Sequence, residues 1–519
     1  MHTGLVEHPK SNEAPTDIRH LPRGLQQIGA LIAGFLLLCL VLRWAWLSDD
    51  GFITSRTWDN FTNGFGLVLN RNYRVQTFTS PLFMLLGLPL YALLRDPYST
   101  LMVLNLSCVV AMLGVTAIRF RNEPVRAAFL LLALALSPLL LSFATSGLEN
   151  SLAFLIATLW VFEALRTAGK GSRLLWLCTA FLVLTRQDYV VLVAPLMMRT
   201  AYSDRRLVVR QAWPAALLVT AWLGFSIFYF GFLFPNTAYA KLNVLLDRGT
   251  LLSRGALYVL DAFMRDTVLA LAFFLAAVGI GVKSLSTASR FLLLSAWAYV
   301  GYVVWIGGDF MSGRFLTTPF ICVTFATEIT LPRPVAELVL AAGVLALIPA
   351  LRENEKARLA NHWSDDSSGV IDERAAYVEH TNLIQNIVAR KWRTHGYLRD
   401  YKKAARAEKS DVIVWNLIGM AAYADAPYKH VVEEMALSEP LLARLRVPAN
   451  SHNRPGHYLR RIPQGYLESL RTGKNLIGNG CVRRLYDRIT LAAHAPLFAP
   501  GRANAILQLN LGERTCPMP

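Results

Sequence analysis

Charge is scarce in this chain. Asp, Glu, Lys and Arg make up 17% of its 519 residues, where a soluble globular chain carries about 25%. That excludes an ordinary soluble enzyme. Acidic residues are the scarcer sign, 35 against 52 Lys and Arg, for a net charge of +17. There are six cysteines and no Cys/His spacing of the zinc-site kind, which excludes a zinc-stapled fold. Cys39, Cys108, Cys178 and Cys322 lie in apolar runs and read as packing residues. Cys481 and Cys516 lie in the tail and can pair if the tail is extracytoplasmic. No internal repeat is visible, which argues against a transporter built from repeats. No small-residue cleavage site follows the first apolar segment, so that segment reads as an uncleaved anchor. Residues 1–24, with Arg19 and Arg23, then form a cytoplasmic N-terminal tail.

What is plentiful is apolar sequence. Hydrophobic residues make up 54% of the chain, and mean hydropathy is +0.37. Apolar windows recur over 25–47, 80–95, 99–118, 127–143, 150–166, 174–200, 212–233, 256–282, 291–307, 314–331 and 335–351, then stop. The reading is a mainly α, polytopic membrane protein. A transmembrane catalytic domain covers 25–351, with a long first loop over 48–80. A soluble extracytoplasmic α/β domain covers 352–519. About eleven spans fit in either of two parities: 80–95 spans and 174–200 is one helix, or 80–95 only dips into the membrane and 174–200 is two short helices joined at Arg186-Gln187-Asp188, the parity preferred here. This parity keeps Arg119, Arg121, Arg126, Arg166, Lys170 and Arg173 inside, as the positive-inside rule prefers. Much of the basic excess flanks the membrane, so anionic headgroups or phosphorylated lipid are the expected partners, and nucleic acid is not.

With that parity five polar clusters emerge on one face. Asp49-Asp50 closes the first span. The others are Thr145–Glu149, Thr185–Asp188, Phe234–Lys241 and Gly307–Phe315. A charged carboxylate in a bilayer costs about 2.5–3.5 kcal/mol, so a pair of them at its edge reads either as a solvated helix end or as a base or cation site. Arg186 alone reads equally as a snorkelling side chain, and Asp309 alone as a helix cap. Together, carboxylates and cations at a membrane surface suit a lipid-phosphate substrate. Arg and Lys hold the phosphate, a carboxylate deprotonates a hydroxyl acceptor, and an apolar groove holds the lipid tail. On this chemistry Arg186, Lys241 and Arg314 are the phosphate candidates. Glu149, Asp188, Asn236, Tyr239 and Asp309 are the sugar or acceptor candidates.

Several tracts resemble a known group. After Asp49-Asp50 come Asn63-Gly64-Phe65-Gly66-Leu67-Val68-Leu69-Asn70 and Val75-Gln76-Thr77-Phe78-Thr79-Ser80-Pro81-Leu82. With Thr145–Glu149 and Phe234–Lys241 they resemble C-type (GT-C), multi-spanning glycosyltransferases that use polyprenyl-phosphate sugars. Gly307–Leu316, and Gly456-His457-Tyr458 with Arg461–Leu470, resemble the terminal arabinofuranosyltransferase family and its Gram-negative relatives. Relatives often carry Pro at the position of Ser312. The resemblance implies a GT-C fold in the inner membrane with an outward active site. It also implies a decaprenyl- or undecaprenyl-phospho-arabinofuranose donor, with Asp49 and Asp50 as the catalytic carboxylates, one of them base or nucleophile. No cofactor is required, though the two aspartates are also placed to hold a divalent cation. The chain is shorter than a typical mycobacterial member, and Asn479–Arg484 is more basic than usual for the group. Both points suggest another acceptor, such as a pilin glycan site, or a role in flagellar motor control.

In the tail, 371–409 reads as a charged helical stretch, Asp411–Trp415 as a strand and Gly419–Tyr423 as strand-like. His430, Glu433 and Glu434 lack a third metal ligand at fixed spacing. The residues around His457–Arg461 and Tyr466 read either as a glycan-binding surface or as packing against the membrane part. The competing functions are a lipid or anion transporter and a non-enzymatic envelope or motor-assembly factor.

Overall fold

The computed structural model describes residues 23–203, 205–281, 285–327, 369–424, 428–448, 456–512 and 515–518. It is mainly helical, as an apolar chain must be when its backbone polar groups lie in lipid. Among the described residues four helices are long and apolar enough to cross a bilayer: Arg23–Trp44, Pro97–Arg119, Val208–Phe230 and Thr287–Ile306. Shorter apolar helices are Pro81–Leu94, Pro124–Ala135, Arg173–Thr185 and Arg314–Ala326. The bundle is that of a multi-pass membrane protein. The segment expected at 335–351 lies outside the described residues.

Polar residues inside apolar runs decide where helices break. The expected pair over 174–200 is present as Arg173–Thr185 and Tyr189–Ser203, with Arg186, Gln187 and Asp188 between. Two other runs also break where one span was expected. The run 127–143 divides at Leu136-Ser137 into Pro124–Ala135 and Pro138–Phe143. The run 256–282 divides at Asp266 into Arg248–Arg265 and Thr267–Ile280, bent by 115°. One carboxylate explains both breaks. Asp266 Oδ1 accepts from Leu269 N at 2.8 Å and caps its own helix. Its Oδ2 accepts from Leu139 N at 3.2 Å and from the Ser137 hydroxyl. Ser137 in turn caps Pro138–Phe143, with Pro at the first helical position.

At the centre runs Thr317–Ala326, every residue of it buried. It packs against Asn150–Arg166 and Thr287–Ile306. A helix apolar on all sides belongs there.

The tail does not form a separate core. Val370, Tyr377, Tyr401, Ile413 and Met420 belong to the same hydrophobic cluster as the membrane helices. A second cluster joins Tyr73, Val75, Phe232 and Ala240, from loops of the bundle, to tail residues from Val412 to Cys516. The charged stretch folds as three helices, Glu373–Thr381, Leu383–Val388 and Tyr397–Ala407. The expected strand is present as Val412–Val414, paired in parallel with His430–Val432. The strand-like reading of Gly419–Tyr423 is wrong, because Ile418–Ala424 is a helix. Its first five residues, more than a full turn, are all buried, so the short helix is packed on every side. Leu445–Arg446 pairs in parallel with Cys516–Pro517, and Cys516 is disulfide-bonded to Cys481.

Candidate active site

The first helix ends at Trp44, and backbone bonds fix the segment that follows. Ser48 N donates to Ser146 O at 2.8 Å. The Thr381 hydroxyl accepts from Leu47 N at 3.1 Å and donates to Leu47 O at 2.9 Å. Gly51 lies against Gly147, where an added Cβ would stand 2.9 Å from Gly147 O. Asp49-Asp50 and Thr145–Glu149 are thereby held side by side, with the start of the tail clamped beneath them.

The two aspartates have different surroundings. Asp49 is 5% exposed. Its carboxylate accepts from Gly419 N at 2.9 Å, from Met420 N at 2.8 Å and from the Tyr397 hydroxyl. Those amides open the helix Ile418–Ala424, so Asp49 caps a tail helix from the end of the first membrane helix. Burial raises its carboxyl above the usual range despite these donors. Asp50 is partly exposed, and its carboxylate makes no hydrogen bond among the described residues. Burial, aided by Asp49 and Asp309, pushes it up to about 6 against the pull of Arg314 and Lys241.

Behind Asp50 runs a buried chain of alternating charge. Arg314 Nη2 donates to Glu149 Oε1 at 2.9 Å, and Arg186 Nη1 donates to the same oxygen at 3.2 Å. Arg186 also grips Asp188 in a fork, Nε to Oδ1 at 3.0 Å and Nη2 to Oδ2 at 2.8 Å. Asp188 Oδ2 accepts from the Tyr299 hydroxyl at 2.6 Å. Burial opposes ionisation of both carboxylates, but Arg314 and Arg186 hold Glu149 below the usual range, and Arg186 with the Tyr299 hydroxyl does the same for Asp188. Arg186 further stacks over the Phe315 ring at 4.3 Å.

Gly307 ends the preceding membrane helix with φ +89°, a left-handed turn that glycine adopts without strain. It places Asp309, 1% exposed, beside Lys241 Nζ at 3.5 Å. Neither carboxylate oxygen of Asp309 has a hydrogen-bond partner among the described residues. A buried, ionised carboxylate with open lone pairs is unusual in a finished core and ordinary in a binding site. Burial works against its charge, but Lys241, Arg314 and His457 keep it below the usual range. Lys241 is 38% exposed, against 11% for Arg186 and 9% for Arg314. Of these three cations it is the one open to a ligand.

Asn236 and Tyr239 face elsewhere. Asn236 Nδ2 donates to Ala436 O at 2.8 Å and Leu437 O at 3.2 Å, tying the loop to the tail. The Tyr239 ring packs under Arg444 at 4.4 Å. Of the ten residues read from the sequence, the structure thus gathers Asp50, Glu149, Arg186, Asp188, Lys241, Asp309 and Arg314 in one charge cluster. Asp49 adjoins the cluster.

Two neighbours carry no signal in the sequence. Tyr397 holds Asp49. Glu373, 6% exposed, has its carboxyl raised well above the usual range by burial and by Asp50 and Asp49. It opens the helix whose other end, Thr381, binds Leu47. Its segment is also bonded to the loop that carries Asp309: Ile371 N donates to Phe310 O at 2.8 Å and Ser312 N to Ile371 O at 3.0 Å. Among the described residues no group of three His, Cys, Asp or Glu is placed to hold a metal. His430 instead meets Glu439 at 3.0 Å, and Glu433 accepts from Ser438 N at 2.8 Å.

Two proteins, each named terminal β-(1→2)-arabinofuranosyltransferase, are similar to this chain. The one from Corynebacterium glutamicum is 27% identical over 445 residues, covering 73% of this chain and 62% of its own length. The one from Mycobacterium tuberculosis is 31% identical over 329 residues, covering 54% and 51%. The chain thus matches half to three-fifths of the length of these relatives. No family model matches it, and no solved structure does. Over that part of its length the chain is similar to proteins named arabinofuranosyltransferases.

Proposed function

We propose that this arabinofuranosyltransferase-like chain is a membrane glycosyltransferase. It moves a sugar, D-arabinofuranose in this reading, from a polyprenyl-phosphate donor to a hydroxyl of a glycan or pilin acceptor. Its site faces the outer side of the cytoplasmic membrane. The single observation that carries the mechanism is the contrast between the two aspartates. Asp49 is saturated by Gly419, Met420 and Tyr397, while Asp50 is open and stands among Lys241, Arg314 and Asp309.

Asp50 is the base. It takes the proton of the acceptor hydroxyl as the new C1–oxygen bond forms and the C1–oxygen bond to the lipid phosphate breaks. A carboxyl near 6 is ionised at neutral pH and a stronger base than an ordinary aspartate. The departing phosphate carries the negative charge. Lys241 receives it, with Arg314 behind, both fixed before the reaction by Asp309 and Glu149. Asp309, whose buried oxygens lack hydrogen-bond partners among the described residues, is the sugar-side acceptor in this reading. Arg186, Glu149 and Asp188 keep Arg314 in place and are positioning residues. Asp49 positions Asp50 by locking the tail onto the first loop. No metal is required in this reading, because Lys241 supplies the counter-charge a cation would bring. Dialysis against a chelator should leave transfer unchanged.

The outward face is supported by the Cys481–Cys516 disulfide, since such bonds persist in oxidising compartments. The test is transfer of labelled arabinose from synthetic polyprenyl-phospho-arabinofuranose to glycan and pilin acceptors by the purified chain. Transfer from this donor supports the reading. If the donor neither binds nor reacts, the arabinose assignment is wrong.

A further inference from the structure

The tail carries a helical hairpin, Gly480–Ala493 and Arg502–Leu511, joined by the turn 494–501. It sits at the end of a membrane span. The helix Val208–Phe230 leaves its last carbonyls without helical partners, and the hairpin supplies donors. Arg502 Nη2 donates to Tyr229 O at 3.1 Å, and Asn510 Nδ2 to Gly231 O at 2.9 Å. Arg74, from the first loop, adds Nε to Tyr229 O at 3.2 Å. Cations at a helix C-terminus also suit its dipole.

This clamp fixes the depth of the turn. Phe228, in the last turn of the span, is 45% exposed, on a helix only 22% buried within the protein. The Phe498 ring lies 5.8 Å from it and is itself 87% exposed. Leu507 and Leu511, one helical turn apart, are 56% and 71% exposed. Trp213 and Tyr229 sit near the two ends of the same span, where aromatic residues mark membrane–water boundaries. The exposed apolar patch therefore continues the lipid-facing side of a span and is not isolated on a wet surface.

We propose that the hairpin turn is an interfacial anchor: Phe498, Leu507 and Leu511 enter the headgroup–acyl boundary of the bilayer beside the end of Val208–Phe230. The partner is the lipid surface itself. The anchor holds the tail at a fixed height over the bundle, independently of which sugar is transferred.

The test is a depth measurement on the full chain in lipid nanodiscs. Cys39 is the exposed free cysteine among the described residues, so Cys39→Ala provides the background. Nitroxide labels are placed by Phe498→Cys, by Leu507→Cys as a second reporter, and by Lys474→Cys as an exposed polar reference on the tail. The anchor requires labels at 498 and 507 that oxygen relaxes several-fold more than a water-soluble nickel chelate, with the reverse at 474. Labels at 498 and 507 as open to the chelate as 474 would overturn it. Labels shielded from both reagents would also overturn it, and would assign the patch to a protein partner, a second copy or another segment of this chain.

Discussion

Asp49 and Asp50 are adjacent in sequence and opposite in circumstance, and their substitutions should separate accordingly. Asp49→Asn exchanges an acceptor oxygen for a donor facing Gly419 N, Met420 N or the Tyr397 hydroxyl. Breaking a buried carboxylate–amide arrangement costs about 1–3 kcal/mol, read as a lower Tm in detergent. Asp50→Asn breaks no hydrogen bond among the described residues and removes a carboxyl whose folded pKa is raised to about 6 from 3.8. The sign follows from linkage. The folded state binds this proton more tightly than the unfolded state, so the stability it lends is complete below pH ~4 and is lost as pH rises to ~6. Asp50→Asn should therefore melt higher than the parent at pH 7 and alike at pH 4. The same ionisation sets activity, so the transfer rate should rise with pH through about 6 and then level off, if Asp50 is the base. Lys241→Met should weaken donor binding by about 10- to 100-fold, the worth of one charged contact to phosphate. The pair Asp49-Asp50 was conspicuous in the sequence. Its division of labour was not, because Gly419, Met420 and Tyr397 stand some 350 residues away along the chain. Glu373 was invisible for the same reason.

At the scale of elements, helix ends carry the account. The break at Arg186-Gln187-Asp188 was legible because three polar residues in an apolar run cannot all lie in lipid. The break at Ser137 was not, because a hydropathy average absorbs a single polar residue. Arg265-Asp266-Thr267 is as polar a tract as 186–188, but the window over 256–282 averages it out, and only the fold reveals that Asp266 caps two helices at once. Asp266→Leu should cost about 1–2 kcal/mol for each cap lost and relax the bend between Arg248–Arg265 and Thr267–Ile280. Calorimetry reads the cost, and the distance between spin labels on the two helices reads the bend. Gly419 is a second such point. A Cβ there would stand 1.8 Å from Asp49 O, so Gly419→Ala must push the tail helix off the first loop. It should lower Tm and transfer together, unlike Asp50→Asn. The helix at 418–424 was missed although Ala421, Ala422 and Ala424 favour it, because seven mostly apolar residues are too few to show a helical period.

Over the whole molecule, the tail and the bundle act as one body. The hydrophobic patterning made the membrane part plain and marked where apolar windows stop. It gave no sign that tail residues complete the core of the bundle. That arrangement needs the tail on the same side as Asp50. A C-terminal alkaline phosphatase fusion should be active and a C-terminal green fluorescent fusion dark; the opposite pattern would contradict an outward site. Cys481→Ser should cost about 2–4 kcal/mol through the lost cross-link, seen as the same Tm loss that a reductant causes in the parent.

Asp50, not Asp49, is the proposed base at this site. One measurement tests it: arabinose transfer from synthetic polyprenyl-phospho-arabinofuranose by the purified parent, Asp49→Asn and Asp50→Asn chains, with Tm recorded for each. Asp50→Asn should lose transfer by about 10²-fold or more, in the order of general-base contributions, with an undiminished Tm. Asp49→Asn should lose Tm and only part of its transfer. Robust transfer by Asp50→Asn, or a dead Asp49→Asn at parental Tm, would contradict this assignment.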